Sequence, residues 1–241
     1  MRIAFIGLGV MGKPMAQNLQ RSGVGELALY DIDATRADSL VEKGARLAES
    51  VADAVNHADV VMTSLPGPKQ IDAVAFAGDG LFASIPSDAV WIDLSTNNLE
   101  VGGRIQQRAQ QDEIAILDAP VSGGDEGARA GNLTILVGGE AAVFQRCLPI
   151  LEIIGENITL LGPSGAGYSA KIAQVVLYYL HSLALSEALM LGVKGGVDAA
   201  QMLAIIQNST GKSYVADRYG PPILNGDYDP SFTLGLALKD M

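Results

Sequence analysis

Along roughly the first two thirds of the chain, short apolar runs alternate with segments whose apolar positions recur at helical spacing. Residues 2–6, 26–30, 60–64, 90–93, 114–117, 134–137 and 158–160 read as strands. Helical patterns follow Gly12 and cover 34–43, 69–76 and 99–110. This alternation predicts an α/β fold of the Rossmann type, a doubly wound and mostly parallel sheet with helices on both faces. Ligands of such sheets bind beyond the C-terminal strand ends. That rule puts Gly7, Asp31, Leu65-Pro66 and Ser95-Thr96 on one rim.

The alternation stops at Gly162-Pro163-Ser164-Gly165. Beyond it the pattern is helical only. It predicts a long helix over about 168–193, ended by Gly195-Gly196, then a second over 199–207 capped by Asp198. The expected organisation is a nucleotide-binding domain over 1–162 and an all-helical domain over 163–241, joined by the long helix. The apolar stretch 172–193 carries Gln174, His181, Ser182, Ser186 and Glu187, so it is read as a buried helix of a soluble protein and not as a membrane span.

Gly7-Leu8-Gly9-Val10-Met11-Gly12 follows the first strand and opens the first helix. The first Gly permits the turn, the second lets the backbone approach a pyrophosphate, and the third lets the helix pack closely on the strand. The second strand ends at Asp31, nineteen residues past Gly12, where a ribose-binding carboxylate is expected. Together these predict a dinucleotide site. Asp31 would accept from the ribose hydroxyls and repel a 2′-phosphate, which favours NAD over NADP. Arg36, five residues on, works against that preference.

Composition narrows the partners. The chain has 241 residues, 49% of them hydrophobic and 18% charged, with net charge −11, which suits a globular protein. The negative balance argues against nucleic acid and anionic membranes. The single Cys147 excludes an intramolecular disulfide framework and reads as a small buried hydrophobe, and no Cys/His cluster has metal-ligand spacing. His57 and His181 have no visible acid or nucleophile partner. The N-terminus is already a strand, which leaves no room for a cleaved signal, and a cytoplasmic protein is expected.

Three stretches resemble one family. They are Phe5 to Met15, then Asp93-Leu94-Ser95-Thr96, then Asp118-Ala119-Pro120-Val121-Ser122-Gly123-Gly124 with Gly127, Ala128 and Gly131. Gly165 to Lys171, Phe232 and Lys239-Asp240 extend the match. The chain resembles the β-hydroxyacid dehydrogenases, the group of 3-hydroxyisobutyrate dehydrogenase and tartronate semialdehyde reductase. The resemblance implies hydride transfer between NAD and the hydroxyl-bearing carbon of a small hydroxyacid. It also implies a homo-oligomer, dimer or tetramer, and further C-terminal helices beyond Met241 that close the substrate domain.

The chemistry then falls on few residues. Lys171, at the start of the long helix, faces the positive end of the helix dipole and apolar surface, both of which disfavour the ammonium. The resemblance implies that it is the general acid/base. Ser122-Gly123-Gly124 is a Gly turn whose amides form an anion-binding concavity, and the resemblance implies that it holds the substrate carboxylate. Leu65, Pro66 and Thr96 are expected to line the cofactor channel, with Thr96 near the nicotinamide. Lys239 resembles a family lysine that approaches cofactor and substrate. The family usually carries Asn at the third and fourth positions after the lysine, and this chain has Gln174 and Val175. Both positions share a helix face with Lys171. Gln174 is the candidate substrate contact, and Val175 cannot donate. Two alternatives therefore stay open: a shifted substrate (an imine, a sulfonate-bearing aldehyde or a bulkier hydroxyacid), and a non-catalytic NAD-binding protein.

Overall fold

The computed structural model describes residues 1–227. Two compact units divide the chain, residues 1–172 and 173–241.

The first unit is built on a nine-stranded sheet. Its strands are β1 Arg2–Ile6, β2 Glu26–Tyr30, β3 Arg46–Leu47, β4 Val60–Thr63, β5 Val90–Asp93, β6 Ala115–Asp118, β7 Val121–Ser122, β8 Leu133–Gly139 and β9 Gly155–Gly162. The helices between them are α1 Gly12–Ser22, α2 Asp38–Val41, α3 Val51–Val55, α4 Pro68–Phe76, α5 Leu81–Ser84, α6 Leu99–Gln111, α7 Gly124–Ala130 and α8 Ala141–Leu151. A 3-10 turn, Ala34–Ala37, leads into α2.

Strand order is β3-β2-β1-β4-β5-β6, all parallel, which leaves a topological switch point between β1 and β4. The sheet then turns antiparallel. β6 and β7 pair successive stretches of β8, through Leu117↔Gly139 and Val121↔Ile135, and β9 runs parallel to β8. The mostly parallel Rossmann-like sheet read from the alternation is the one observed.

Period-2 alternation in buried parallel strands feeds two cores at once. Ile3 and Phe5 of β1, Met62 of β4 and Ile92 of β5 join Met15, Leu19, Phe144 and Ile150 on one face. Ala4, Ile6, Val61 and Trp91 join Ile71, Leu81, Phe82 and Ile105 on the other. Trp91 is fully buried, its ring edge-on to Phe82 with centroids 5.5 Å apart. Cys147 lies in the first core, and burial pushes its thiol up.

The apolar pattern missed the short elements β3, β7, α3, α5 and α7, and also the longer α8. β7 is too short to show a period, and α8 is an apolar helix with Pro149 inside it. The elements of two to seven residues are too short to show a period, whereas α8 has the length and spacing of a readable helix.

The long helix α9 runs Ala166–Lys194, slightly longer than expected at each end. The remainder of the second unit holds α10 Ala199–Gln207, α11 Tyr214–Arg218 and α12 Gly220–Asn225. Asp198 caps α10 by accepting from the Ala200 and Gln201 amides, both at 3.0 Å. Among the described residues the unit's core gathers Leu185, Leu189, Leu203, Ile206, Val215 and Ala216.

One expectation is overturned here. The helix read as buried exposes much of its apolar surface: Val176, Leu177, Leu180, Leu183, Met190, Leu191 and Val193 all face outward. The segment is apolar on every side, whereas burial covers one stripe through Val175, Leu185 and Leu189. It is also long and apolar enough to cross a membrane by length and composition alone.

Candidate active site at the strand ends

The parallel strands end in one row, and the loops leaving them continue the ladder. Gly7 donates to the Tyr30 carbonyl at 2.8 Å, Ser64 to that of Ile6 at 2.9 Å, Leu94 to that of Thr63 at 2.9 Å and Ala119 to that of Asp93 at 2.8 Å. The rim expected from the strand-end rule is therefore one hydrogen-bonded edge carrying Gly7, Asp31, Ser64-Leu65 and Leu94-Ser95. Pro66 and Thr96 follow on the same loops, Pro66 exposed and Thr96 half-buried.

The three glycines of the first loop have separate physical reasons. Gly7 sits at φ +95°, and a Cβ there would lie 2.3 Å from the Ser64 carbonyl oxygen. A Cβ on Gly12 would lie 1.9 Å from the Gly7 carbonyl oxygen, so α1 packs directly on the loop. Gly9 meets no such wall. The nearest heavy atom to its Cβ position is an Arg36 nitrogen at 4.0 Å. Its openness suits a ligand and not packing.

The amides of Gly9, Val10 and Met11 donate to no group among the described residues. Amides at a helix start beside an open glycine fit the pyrophosphate of a dinucleotide. Leu8 differs: its side chain is in the core, and its N–H donates to Asp31 Oδ2 at 2.6 Å.

Asp31 is thus held by two backbone donors, Leu8 and, through Oδ1, Asp33 at 2.9 Å. Arg36 lies 3.6 Å from Asp31 Oδ1 and 3.3 Å from Asp33 Oδ2. Each carboxylate oxygen retains a lone pair for a ribose hydroxyl. The guanidinium stands between this acid and the open side of Gly9, where an added phosphate would also find it.

A second cluster sits at the ends of β5 and β6. Asp93 and Asp118 are register partners on neighbouring strands. Asp93 Oδ1 accepts from Thr63 Oγ1 at 2.7 Å and the Ser95 amide at 3.2 Å, and Oδ2 accepts from the Tyr168 hydroxyl at 2.6 Å. Asp118 accepts from the Gly165 amide at 2.7 Å, the Tyr168 amide at 3.1 Å and Ser164 Oγ at 3.3 Å. Burial pushes both carboxyls above the usual carboxylate range, and these donors only partly oppose it. Burial and the neighbouring Asp93 charge push the Tyr168 phenol well above its ordinary value.

These contacts seat the start of α9. Lys171 lies in its second turn, past the first turn in which the helix dipole acts strongly, and is buried at 8% exposure. The dipole reason read for Lys171 from sequence therefore loses most of its weight.

Ser122 ends β7, and Gly123 and Gly124 follow at φ +133° and +65°, both exposed. The Gly123 amide donates to no group among the described residues. Two exposed glycines with an open amide leave this stretch of backbone uncovered by side chains. Gln174 and Val175 belong to the second unit, the first exposed and the second buried. Lys239, with Phe232 and Asp240, lies outside the described residues.

Ser95 and Tyr168 stand within the motif stretches read from sequence, but their contacts were not legible there, and Asn97 was not singled out. Ser95 Oγ accepts from the Leu65 amide at 2.9 Å, tying two cofactor-side loops together. Tyr168 joins both acids. Asn97 is buried, and its Nδ2 meets no partner at hydrogen-bond geometry among the described residues. Polar residues in an otherwise apolar strand-end context were the available signal.

Comparison with known proteins agrees with this geometry. The model of the NAD binding domain of 6-phosphogluconate dehydrogenase matches residues 2–162, and that of the NAD-binding domain of NADP-dependent 3-hydroxyisobutyrate dehydrogenase matches 165–241. The chain is 38% identical to a 3-hydroxyisobutyrate dehydrogenase of Pseudomonas aeruginosa, over 99% of this chain and 82% of that one. It is 37% identical to an NAD-dependent L-serine dehydrogenase of the same organism, over 100% and 83%. A solved structure of Mycobacterium tuberculosis 3-hydroxyisobutyrate dehydrogenase with L-serine is 32% identical, with TM-score 0.88, over 99% and 83%. The chain belongs to the 3-hydroxyisobutyrate dehydrogenase, or β-hydroxyacid dehydrogenase, family of NAD(P)-dependent oxidoreductases.

Proposed function

We propose that this chain is an NAD-dependent dehydrogenase of a small hydroxyacid, with Lys171 as its general acid/base. The observation that carries the reading is a nearly fully buried lysine on the helix whose first turn is tied to the strand-end rim. A buried ammonium with that seating suits proton transfer better than solvation. Residues 1–162 form the nucleotide domain in this reading, and 163–241 the helical substrate and oligomerisation domain of a cytoplasmic homo-oligomer.

The amides of Gly9, Val10 and Met11, with Gly7 and Gly12, would hold the pyrophosphate. Asp31 would hold the ribose, and Leu65, Pro66 and Thr96 would line the channel toward the nicotinamide. The nicotinamide, when bound, supplies the hydride acceptor or donor. Ser122, Gly123 and Gly124 would hold the substrate carboxylate, which fixes its hydroxyl relative to Lys171 Nζ. Lys171 takes the hydroxyl proton as the carbonyl forms, and returns it in the reverse direction. Asp31 supports NAD over NADP, and Arg36 is the group through which NADP would bind. Comparison of NADH and NADPH affinities for the protein and its Arg36→Ala variant decides this. NAD preference predicts tighter NADH binding in both proteins.

A shifted substrate is the second reading, favoured by Val175 being apolar and buried beside an exposed Gln174. Both readings are tested by NADH formation across 3-hydroxyisobutyrate, glycerate, 4-hydroxybutyrate, L-serine, threonate and 2,3-dihydroxypropanesulfonate, with Val175→Asn alongside. Turnover of a carboxylate substrate supports the first. Turnover of the sulfonate alone, or of carboxylates by the variant only, supports the second. NADH binding without turnover of any compound by either protein counts against both and favours a binding protein.

A further inference from the structure

Tyr168 is held at three points. Its hydroxyl donates to Asp93 Oδ2 at 2.6 Å and its amide to Asp118 Oδ2 at 3.1 Å. Its ring fills a slot that exists because α6 carries Gly102, where a Cβ would come within 2.8 Å of the ring. The acids are themselves anchored. Thr63 Oγ1 donates to Asp93 and accepts from Trp91 Nε1 at 2.9 Å. Beside Tyr168, a Cβ on Gly167 would lie 2.3 Å from the Leu136 carbonyl oxygen, so the helix backbone rests on the strand backbone.

Packing alone does not call for this arrangement. A phenylalanine would fill the same slot. Burying a phenol against a buried carboxylate desolvates both groups, and such pairs contribute little net stability over an apolar replacement. They do select one geometry. Lys171 lies three residues on, on the same face of α9, so the azimuth and axial position of Tyr168 become those of the lysine.

We propose that Tyr168 is a positioning residue, which through its hydroxyl on Asp93 and its amide on Asp118 fixes how α9 presents Lys171. The functional half rests on the reading of Lys171 as the acid/base. The positional half does not. The hydroxyl specifies the rotation of the first turn, and the amide bond specifies its height above the β6 end.

The deciding experiment compares the wild type with Tyr168→Phe by two readouts. The first is the rate at which acetic anhydride labels Lys171, followed by peptide mass spectrometry. The second is kcat on whichever panel compound is turned over, with NADH affinity measured in parallel. In Tyr168→Phe, Lys171 labelling is expected to rise about tenfold and kcat to fall by about ten- to hundred-fold, while NADH affinity holds. Unchanged labelling overturns the proposal, whatever kcat does. Equal losses in kcat and NADH affinity also overturn it, because they mark general damage to the unit. Asp93→Asn, which leaves the ring in its slot and weakens the acceptor of its hydroxyl, covers the case in which Tyr168→Phe folds poorly, and a rise in Lys171 labelling in the same direction is expected of it, its absence overturning the proposal. Lys171→Met separates the two readings. If it retains full turnover, the acid/base assignment fails, and the labelling comparison still decides whether Tyr168 holds the lysine in place.

Discussion

The two units handle apolar residues in opposite ways. In the first, the buried apolar strand residues serve one of two cores, and the rim carries buried, hydrogen-bonded acids. In the second, the described residues form one core from part of α9 with α10 and α11, while leucines along α9 are exposed. A site seated on a sheet packed on both faces is held in place by those two cores. A unit that leaves apolar surface open is specified partly by what covers it. The contrast predicts that substitutions in the first unit act on stability and cofactor binding together, and substitutions on α9 act on association.

The sharpest way to break that contrast is Gly12→Val. Its Cβ must enter space 1.9 Å from the Gly7 carbonyl oxygen, a backbone atom that has no freedom to yield. We expect a stability loss of about 3 kcal/mol and loss of measurable NADH binding. A thermal melt and an NADH titration check this. A variant that melts normally and binds NADH would show the loop to be far more pliable than its packing implies.

Asp118→Ala is the next largest. It strips acceptors from the Gly165 and Tyr168 amides and from Ser164 Oγ. An unsatisfied buried donor costs about 1–3 kcal/mol. The loss is expected to be local, with faster amide exchange over 165–172 and little change in β1 to β4. Uniform acceleration across the sheet would mean that Asp118 supports the whole core and not the seating of α9.

The pH dependence follows from the same acids. Burial raises the carboxyls of Asp93 and Asp118 in the folded state. The native form then binds more protons than the unfolded chain between the ordinary carboxylate value and the raised one. Stability from these groups is fullest below the ordinary value and falls as pH climbs through the raised one. Asp93→Asn removes one of the two, so its Tm is expected to change less with pH across that window by a few degrees. A steeper dependence in the variant would contradict the raised carboxyl.

How much of this was legible in the sequence depends on how local its cause is. The glycine loop, the strand ends and the Asp198 cap arise from short-range geometry and were readable. Asp93 and Asp118 were visible only as members of motifs. Their pairing across strands, and the Tyr168 bridge between them and α9, need a tertiary contact spanning 75 residues. The Lys171 position was legible, but the dipole reason attached to it was not sound, because the helix begins five residues earlier at Ala166. The open face of α9 was misread for a related cause. A segment apolar on all sides says that it will be covered, and it does not say by what.

That open face supplies the smallest predicted effect on stability and the cleanest separation of the two units. Leu180 and Leu183 are 57% and 59% exposed on α9. A polar substitution at an exposed site moves the stability of an isolated chain by no more than about 0.5 kcal/mol. If a second copy covers this face, as the proposed homo-oligomer requires, Leu180→Glu with Leu183→Glu would bury two charges at the interface, and association should weaken by at least about tenfold. Light scattering across a dilution series reads the mass, and a melt at the lowest concentration reads the monomer. The expected outcome is a fall in mass with little change in monomer Tm and retained NADH binding, since the cofactor loops lie wholly in the first unit. A protein that is monomeric before substitution would remove the oligomer from the account and leave α9 to be covered by another segment or partner. Collapse of NADH binding in the variant would break the comparison itself, because the cofactor loops of the first unit would then depend on the surface of α9.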